Sequence, residues 1–256
     1  MKKNNYDAII FDMDGVLINE GRSYRLAIEM TVNYLLIRYK FETRVDRDGI
    51  NLLKSIPRFN NDWDVSYVLF DLLEKNVSRD NFLNKVKIVT GRVRKTKKYQ
   101  EIKDIFQSFY LGEEVFNQIY NRKPPVTFQK GLINNDSLLL DLNILRSLAQ
   151  KYKLGIATSR PRYEALFASK TLKITPDFIR EEFIVAKEDV LREKPEPDPL
   201  LEVKKRMEVK NPIYVGDTIN DAIAAKKARM PCIFIGDKKL GDFQFSNINR
   251  IAEVLL

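Results

Sequence analysis

Tyr6-Asp7-Ala8-Ile9-Ile10-Phe11-Asp12-Met13-Asp14-Gly15, near the head of this 256-residue chain, decides its architecture. Four apolar residues follow one another without alternation. That pattern predicts a strand covered on both faces, as in the centre of a parallel sheet. The acids begin where the apolar run stops, and Gly15 predicts a turn three residues after Asp12. Asp12 and Asp14 are therefore placed just beyond the carboxyl end of a strand, where ligands bind in open parallel sheets.

Outward from this stretch the rhythm changes twice. Apolar residues recur at helical spacing over 24–39, 63–73 and 99–120, until Arg122-Lys123-Pro124-Pro125 breaks the run. No strand alternation intervenes, so a helical insert is predicted. From Asp136 onward, helices predicted over 137–151, 200–209 and 221–228, and one starting at Pro161, alternate with strands over 154–158, 183–186, 213–215 and 232–235. Asp198-Pro199 reads as an N-cap followed by proline in the first turn. Repeated units of this length predict a doubly wound, Rossmann-like α/β sheet with helices on both faces. The division expected is an α/β core over 1–18 and 137–256, with an all-helical domain over 19–136.

Composition excludes several chemistries. Histidine is absent, so no Ser-His-Asp or Cys-His device and no imidazole metal site can form. Cys232 is the single cysteine, which rules out an internal disulfide and a thiolate metal site. Any metal must sit on oxygen ligands, which points to a hard cation such as Mg²⁺. The N-terminal apolar run contains acids and is neither a signal peptide nor a membrane span, so a cytoplasmic location is expected. The net charge of +9 fits anionic ligands. Lys85, Lys87, Arg92, Arg94, Lys95, Lys97 and Lys98 form a basic run with little aromatic interleaving. It reads as a solvated helix end and loop rather than as a nucleic-acid site.

Four polar clusters fall at or beyond predicted strand ends: Asp12-Met13-Asp14-Gly15, Thr158-Ser159-Arg160, Lys194-Pro195-Glu196-Pro197 and Gly216-Asp217-Thr218-Ile219-Asn220-Asp221. Each alone has an ordinary reading as a turn, a helix-start hydroxyl, a surface lysine or a helix cap. The parallel topology puts all four on one rim, and that coincidence is what singles them out.

In this order the clusters resemble the four motifs of the haloacid dehalogenase-like hydrolases, specifically the phosphoglycolate-phosphatase-like branch with a helical cap. The likeness covers roughly 5–18 and 137–237. It implies a Mg²⁺-dependent phosphatase acting on a small phosphorylated metabolite through an aspartyl-phosphate. On that resemblance Asp12 is the nucleophile, and Asp14 protonates the leaving group and then activates water. Thr158, Ser159 and Lys194 bind the phosphate, Lys194 also neutralising the nucleophile. Asp12, Asp217 and the backbone carbonyl of Asp14 hold the metal, with Asp221 acting through water or orienting Lys194. Asn220 buttresses its loop or caps the helix. Asp14 favours phosphate esters over carbon–halogen bonds. A sugar-phosphate mutase is the rival enzyme, and its best-known type uses a histidine this chain lacks. A non-catalytic binding protein is the other rival. For specificity the candidates are Arg22, Arg25 and Asn61 in the insert, against surface pairing for the arginines and a cap formed by Asn61 or Asp62. Arg160 and Arg162 flank the phosphate loop and could serve either purpose, substrate contact or pairing within the fold.

Overall fold

The computed structural model describes residues 6–19, 23–56, 59, 61–89 and 96–256. The chain divides into two compact units, Met1–Glu20 with Asp136–Leu256, and Gly21–Asn135.

The first unit opens with β1 (Ala8–Phe11) and the two-residue β2 (Ile18–Asn19). The second unit contributes α1 (Ser23–Arg38), α2 (Arg47–Lys54), α3 (Asp62–Glu74), α4 (Phe82–Val89) and α5 (Lys97–Tyr120). The first unit then resumes with β3 (Ser137–Leu138), α6 (Leu142–Lys151), β4 (Lys153–Ala157), α7 (Arg162–Thr171) and β5 (Ile184–Val185). It finishes with α8 (Asp198–Met207), β6 (Pro212–Gly216), α9 (Ile219–Ala228), β7 (Cys232–Ile235), β8 (Phe243–Phe245) and α10 (Ala252–Leu255).

Six strands form one sheet in the order β5-β4-β1-β6-β7-β8, every pair parallel. The unbroken apolar run of β1 has its reason here. Ile9 and Phe11 join one buried cluster with Leu145, Leu148, Ile156, Ala165 and Val215, beneath α6 and α7. Ala8 and Ile10 join another with Leu200, Val203, Met207, Tyr214 and Ala225, beneath α8 and α9. Both faces of the strand are dry, so both kinds of position must be apolar. Register carries the consequence to the site. Phe11 lies beside Ile156 on one flank and Val215 on the other. The residues that follow each strand therefore emerge along one edge of the sheet.

The helical unit is described by helices alone among its described residues. α1 packs against α3 and α5. Its caps follow local chemistry: Asp46, Asn61 and Thr96 accept from first-turn N–H groups of α2, α3 and α5. α5 is broken at Gly112, where φ is +77° and an added Cβ would lie 2.4 Å from the backbone nitrogen of Gly131. Only glycine meets both demands.

The structure differs from the sequence reading in detail. The helix expected over 137–151 is shortened: Ser137 and Leu138 pair antiparallel with Asn19 and Ile18, and Asp141 caps α6. Asp198 is the first residue of α8, with Pro199 next, so the cap lies one residue earlier than expected. The sixth strand, β8, and helices α2 and α4 were not anticipated. No helix among the described residues is long and apolar enough to cross a membrane.

One ion cluster ties the loops of this edge together. The Asp189 carboxylate accepts the Ala186 N–H at 2.7 Å and the Arg162 Nε at 3.2 Å, and faces Arg206 at 3.3 Å. Burial alone would raise its pKa, but the Ala186 N–H and the two guanidiniums outweigh burial and hold it below the ordinary 3.8. A depressed folded pKa stabilises above the unfolded value, and that stabilisation is lost as pH falls through the folded one. Asp189→Asn is expected to cost about 1–3 kcal/mol at neutral pH in urea unfolding. The gap to wild type should stay constant above about pH 5 and close below about pH 4. A gap that widens on acidification would contradict this assignment.

Candidate active site

The site is built around Lys194. Its ammonium lies 2.7 Å from Asp12 Oδ1 and 2.7 Å from Asp221 Oδ1, and also donates toward the Ala157 carbonyl and the Tyr214 hydroxyl, each at 3.2 Å. Only 5% of its side chain is exposed. Burial disfavours the ammonium, but the Asp12 and Asp221 charges and their hydrogen bonds more than reverse this, so its pKa is raised and it stays charged. The two carboxylates respond oppositely. Asp221 is lowered despite burial, because Lys194, Thr218 and Tyr214 all stabilise its anion. Asp12 is raised, first by burial and then by the Asp221 charge, with Lys194 only partly compensating.

Asp221 owes its place to the start of α9. Thr218 caps that helix, its Oγ1 accepting the Asp221 N–H at 3.2 Å while Asp221 Oδ2 accepts the Thr218 N–H at 3.0 Å. This is a reciprocal capping box. The Thr218 hydroxyl reaches the same Oδ2 at 2.5 Å, and the Tyr214 hydroxyl donates to Oδ1 at 2.6 Å. With Lys194 added, both oxygens of Asp221 are engaged. That geometry suits orienting Lys194 better than gripping a cation directly. Asn220 does not make the cap; Thr218 does.

Asp12, Asp217 and Asp221 can each present an oxygen so that all three lie within 4.8 Å of one another. The loop after β1 brings this about. Asp12 N–H bonds the Val215 carbonyl at 2.8 Å, and the Met13 carbonyl accepts the N–H groups of Leu17 and Ile18. Gly15 sits at φ +74°, where an added Cβ would fall 2.1 Å from Asp217 Oδ2. Glycine is what lets the first and last acidic loops come so close. The site holds Asp12, Asp14, Asp136, Asp217 and Asp221 against Lys194 and Arg160, an excess of negative charge. An all-oxygen donor set with that excess fits a hard divalent cation.

Asp14 is not free-standing. Arg160 Nε donates to Oδ1 at 2.8 Å and Oδ2 at 3.0 Å, and Nη2 donates to Oδ1 at 2.5 Å. Nη2 also lies 3.0 Å from Asp136 Oδ2. Thr158 continues from β4, its N–H bonding the Val185 carbonyl and its Oγ1 accepting the Arg160 N–H at 3.1 Å. Thr158 is buried and Ser159 is exposed. The structure thus gathers Asp12, Asp14, Thr158, Lys194, Asp217 and Asp221 on one edge.

Other candidates have different surroundings. Arg162 bonds Asp189 and the Ile184 carbonyl, so its charge is used within the fold. Asn61 Oδ1 accepts the N–H groups of Trp63 and Asp64 at the start of α3. Arg25 is exposed on α1. Arg22 lies outside the described residues, as do Arg92, Arg94 and Lys95 of the basic run. Lys98 of that run pairs with Glu74 and stacks over Phe70. Sequence reasoning missed Tyr214 and Asp136. A tyrosine two residues before Gly216 shares that residue's side of the strand, the available signal for a hydroxyl at the site. Asp136 had none, because a lone acid before an element reads as a cap.

The family model described as haloacid dehalogenase-like hydrolase matches residues 142–235. The phosphoglycolate phosphatase of Shigella dysenteriae is 25% identical over 230 residues, covering 88% of this chain and 79% of the relative. The imidazoleglycerol-phosphate dehydratase of Phytophthora nicotianae is 28% identical over 225 residues, 86% of this chain but only 41% of that protein's length. The phosphatase Tt82 from Thermococcus thioreducens superposes with a TM-score of 0.72 at 23% identity, over 96% of this chain and 97% of that one. Its likeness establishes the shared fold.

Removing the ammonium from this centre should leave buried carboxylates facing one another. Lys194→Met is close in shape and uncharged. Without divalent cations it is expected to lose about 3–5 kcal/mol in urea unfolding. A loss below about 1 kcal/mol would mean that Lys194 does not balance the site.

Proposed function

We propose that this chain, which is similar to the haloacid dehalogenase-like hydrolases over residues 142–235 and to a phosphoglycolate phosphatase over 88% of its length, is a phosphomonoesterase for small phosphorylated metabolites. The observation that carries the reading is the convergence of Asp12, Asp217 and Asp221 around Lys194 at the carboxyl edge of the sheet. The name of the Shigella relative supports a phosphorylated small organic acid as the substrate class. The helical unit would serve as the cap that selects among such esters, with Arg22, Arg25 and Asn61 as specificity candidates.

Asp12 attacks. Lys194 occupies its Oδ1, leaving Oδ2 as the oxygen that forms the bond to phosphorus. The ester P–O bond breaks as the new bond forms, and Asp14 delivers a proton to the departing oxygen. Asp14 then takes a proton from water as that water attacks phosphorus. The P–O bond to Asp12 breaks, phosphate leaves, and both carboxyls return to their starting states. Thr158 and Ser159 hold phosphate oxygens at the start of the loop before α7. Asp12, Asp217 and the Asp14 carbonyl would hold Mg²⁺, with Asp221 keeping Lys194 in place or contributing through water. A bound cation supplies charge neutralisation between two anions and polarises the phosphoryl group.

Excess chelator is expected to abolish hydrolysis, with Mg²⁺ restoring it and Ca²⁺ substituting poorly because of its longer, looser coordination. Full turnover in chelator would overturn the metal assignment. Asp12→Asn should lose at least about 10⁴-fold in kcat with an unchanged circular dichroism spectrum. Asp14→Asn should lose about 10²–10⁴-fold in kcat/KM on alkyl phosphates and far less in kcat/KM on nitrophenyl phosphate, whose leaving group needs little proton help, while kcat falls on both because the water step needs the same carboxylate. Equal losses in kcat/KM on both would contradict a leaving-group acid.

A further inference from the structure

Of the two purposes open to Arg160, substrate contact and pairing within the fold, its surroundings favour the second. Its side chain is 1% exposed, and the Nε and Nη2 donors are committed to carboxylates of its own fold. A buried guanidinium must keep a counter-ion, since an uncompensated charge in the interior costs several kcal/mol. Two carboxylates among the described residues face Arg160, and they are unequal. The Asp136 side chain is 2% exposed, whereas that of Asp14 is 29% exposed. One partner is interred with the arginine; the other keeps an open side.

We propose that Arg160 is the positioning residue that aims Asp14, anchored in turn by Asp136. The claim rests on the phosphomonoesterase reading for its kinetic meaning. Asp136 holds the guanidinium from the buried side by its charge, with Oδ2 3.0 Å from Nη2 in an ion pair and not a hydrogen bond. The rigid fork then sets the plane of the Asp14 carboxylate from a second direction. Oδ1 takes two of the three hydrogen bonds, at 2.8 and 2.5 Å, and Oδ2 takes only the longer one, at 3.0 Å. Oδ2 is thereby the oxygen left to exchange a proton with the leaving group or with water. A lysine could supply the charge but not the planar two-nitrogen grip. The arrangement also locks the loop after β1 to the loop after β4, since Arg160 N–H bonds Thr158 Oγ1 while its side chain holds Asp14.

The test uses Arg160→Lys and Asp136→Asn in the full chain with Mg²⁺ present. Both variants should resemble Asp14→Asn in kind: kcat/KM on an alkyl phosphate falling about 10-fold to 10²-fold, and kcat/KM on nitrophenyl phosphate staying within about threefold. A merely structural role would lower both substrates together, and that result, or no loss on either, would overturn the proposal. A measurement independent of turnover accompanies it. In urea unfolding, Arg160→Lys combined with Asp14→Asn should cost less than the sum of the two single changes. Strict additivity would overturn the pairing. Should the wild type hydrolyse neither ester, the phosphomonoesterase reading fails by itself, and additivity or its absence still decides whether Arg160 holds Asp14.

Discussion

A single ammonium, that of Lys194, sets the terms for the whole edge of the sheet. It is nearly sealed from water, yet charged, and it can be so only because Asp12 and Asp221 stand 2.7 Å away on either side. Each of those carboxylates is delivered by a different part of the fold. Asp12 continues the central strand β1, while Asp221 is held in the first turn of α9 after the neighbouring strand β6. The register of β1 between β4 and β6 is therefore an electrostatic requirement as well as a packing one. A slip of one residue would turn Asp12 toward the opposite face.

The same charges divide the acids into distinct duties. Asp221 spends its oxygens on Lys194, Tyr214 and Thr218, which holds its anion firmly and leaves it an organising role. Asp12 gains less from Lys194 than burial and Asp221 take away, so its pKa rises. A carboxylate in that condition gains from any added cation. Asp217, pressed against Gly15, supplies the adjoining oxygens. Asp14 is governed separately, through Arg160 and the buried Asp136. Two cations among the described residues thus manage five acids, and each acid's surroundings differ enough to separate the proposed nucleophile, proton carrier, metal ligand and support.

Much of this was legible in the amino-acid sequence because two signals are strong. Apolar runs without alternation mark doubly covered strands, and β1, β4, β6 and β7 follow from them. Polar clusters just after β1, β4 and β6 mark the rim with Asp12, Asp14, Thr158, Asp217 and Asp221, and Lys194 joins them from the loop that follows β5. What escaped lacks a local signal. β8 is three residues long and partly exposed, so its pattern is no stronger than a loop's. The β2–β3 pair forms from residues more than a hundred positions apart, and Ser137-Leu138 alone resembles the start of a helix. Asp136 meets Arg160, and Arg160 meets Asp14, only in space. α2 and α4, eight residues each, offer too few turns for periodicity to declare itself.

Chemical capture of the phosphorylated residue tests the central claim most directly. The enzyme would be quenched in acid during turnover of a good substrate with Mg²⁺, reduced with borohydride and mapped by peptide mass spectrometry. Reduction converts an aspartyl-phosphate to homoserine and leaves free carboxylates unchanged. The account expects homoserine at position 12 alone, in wild type and not in Asp12→Asn. Turnover with no modification, or modification at another carboxylate, would contradict it.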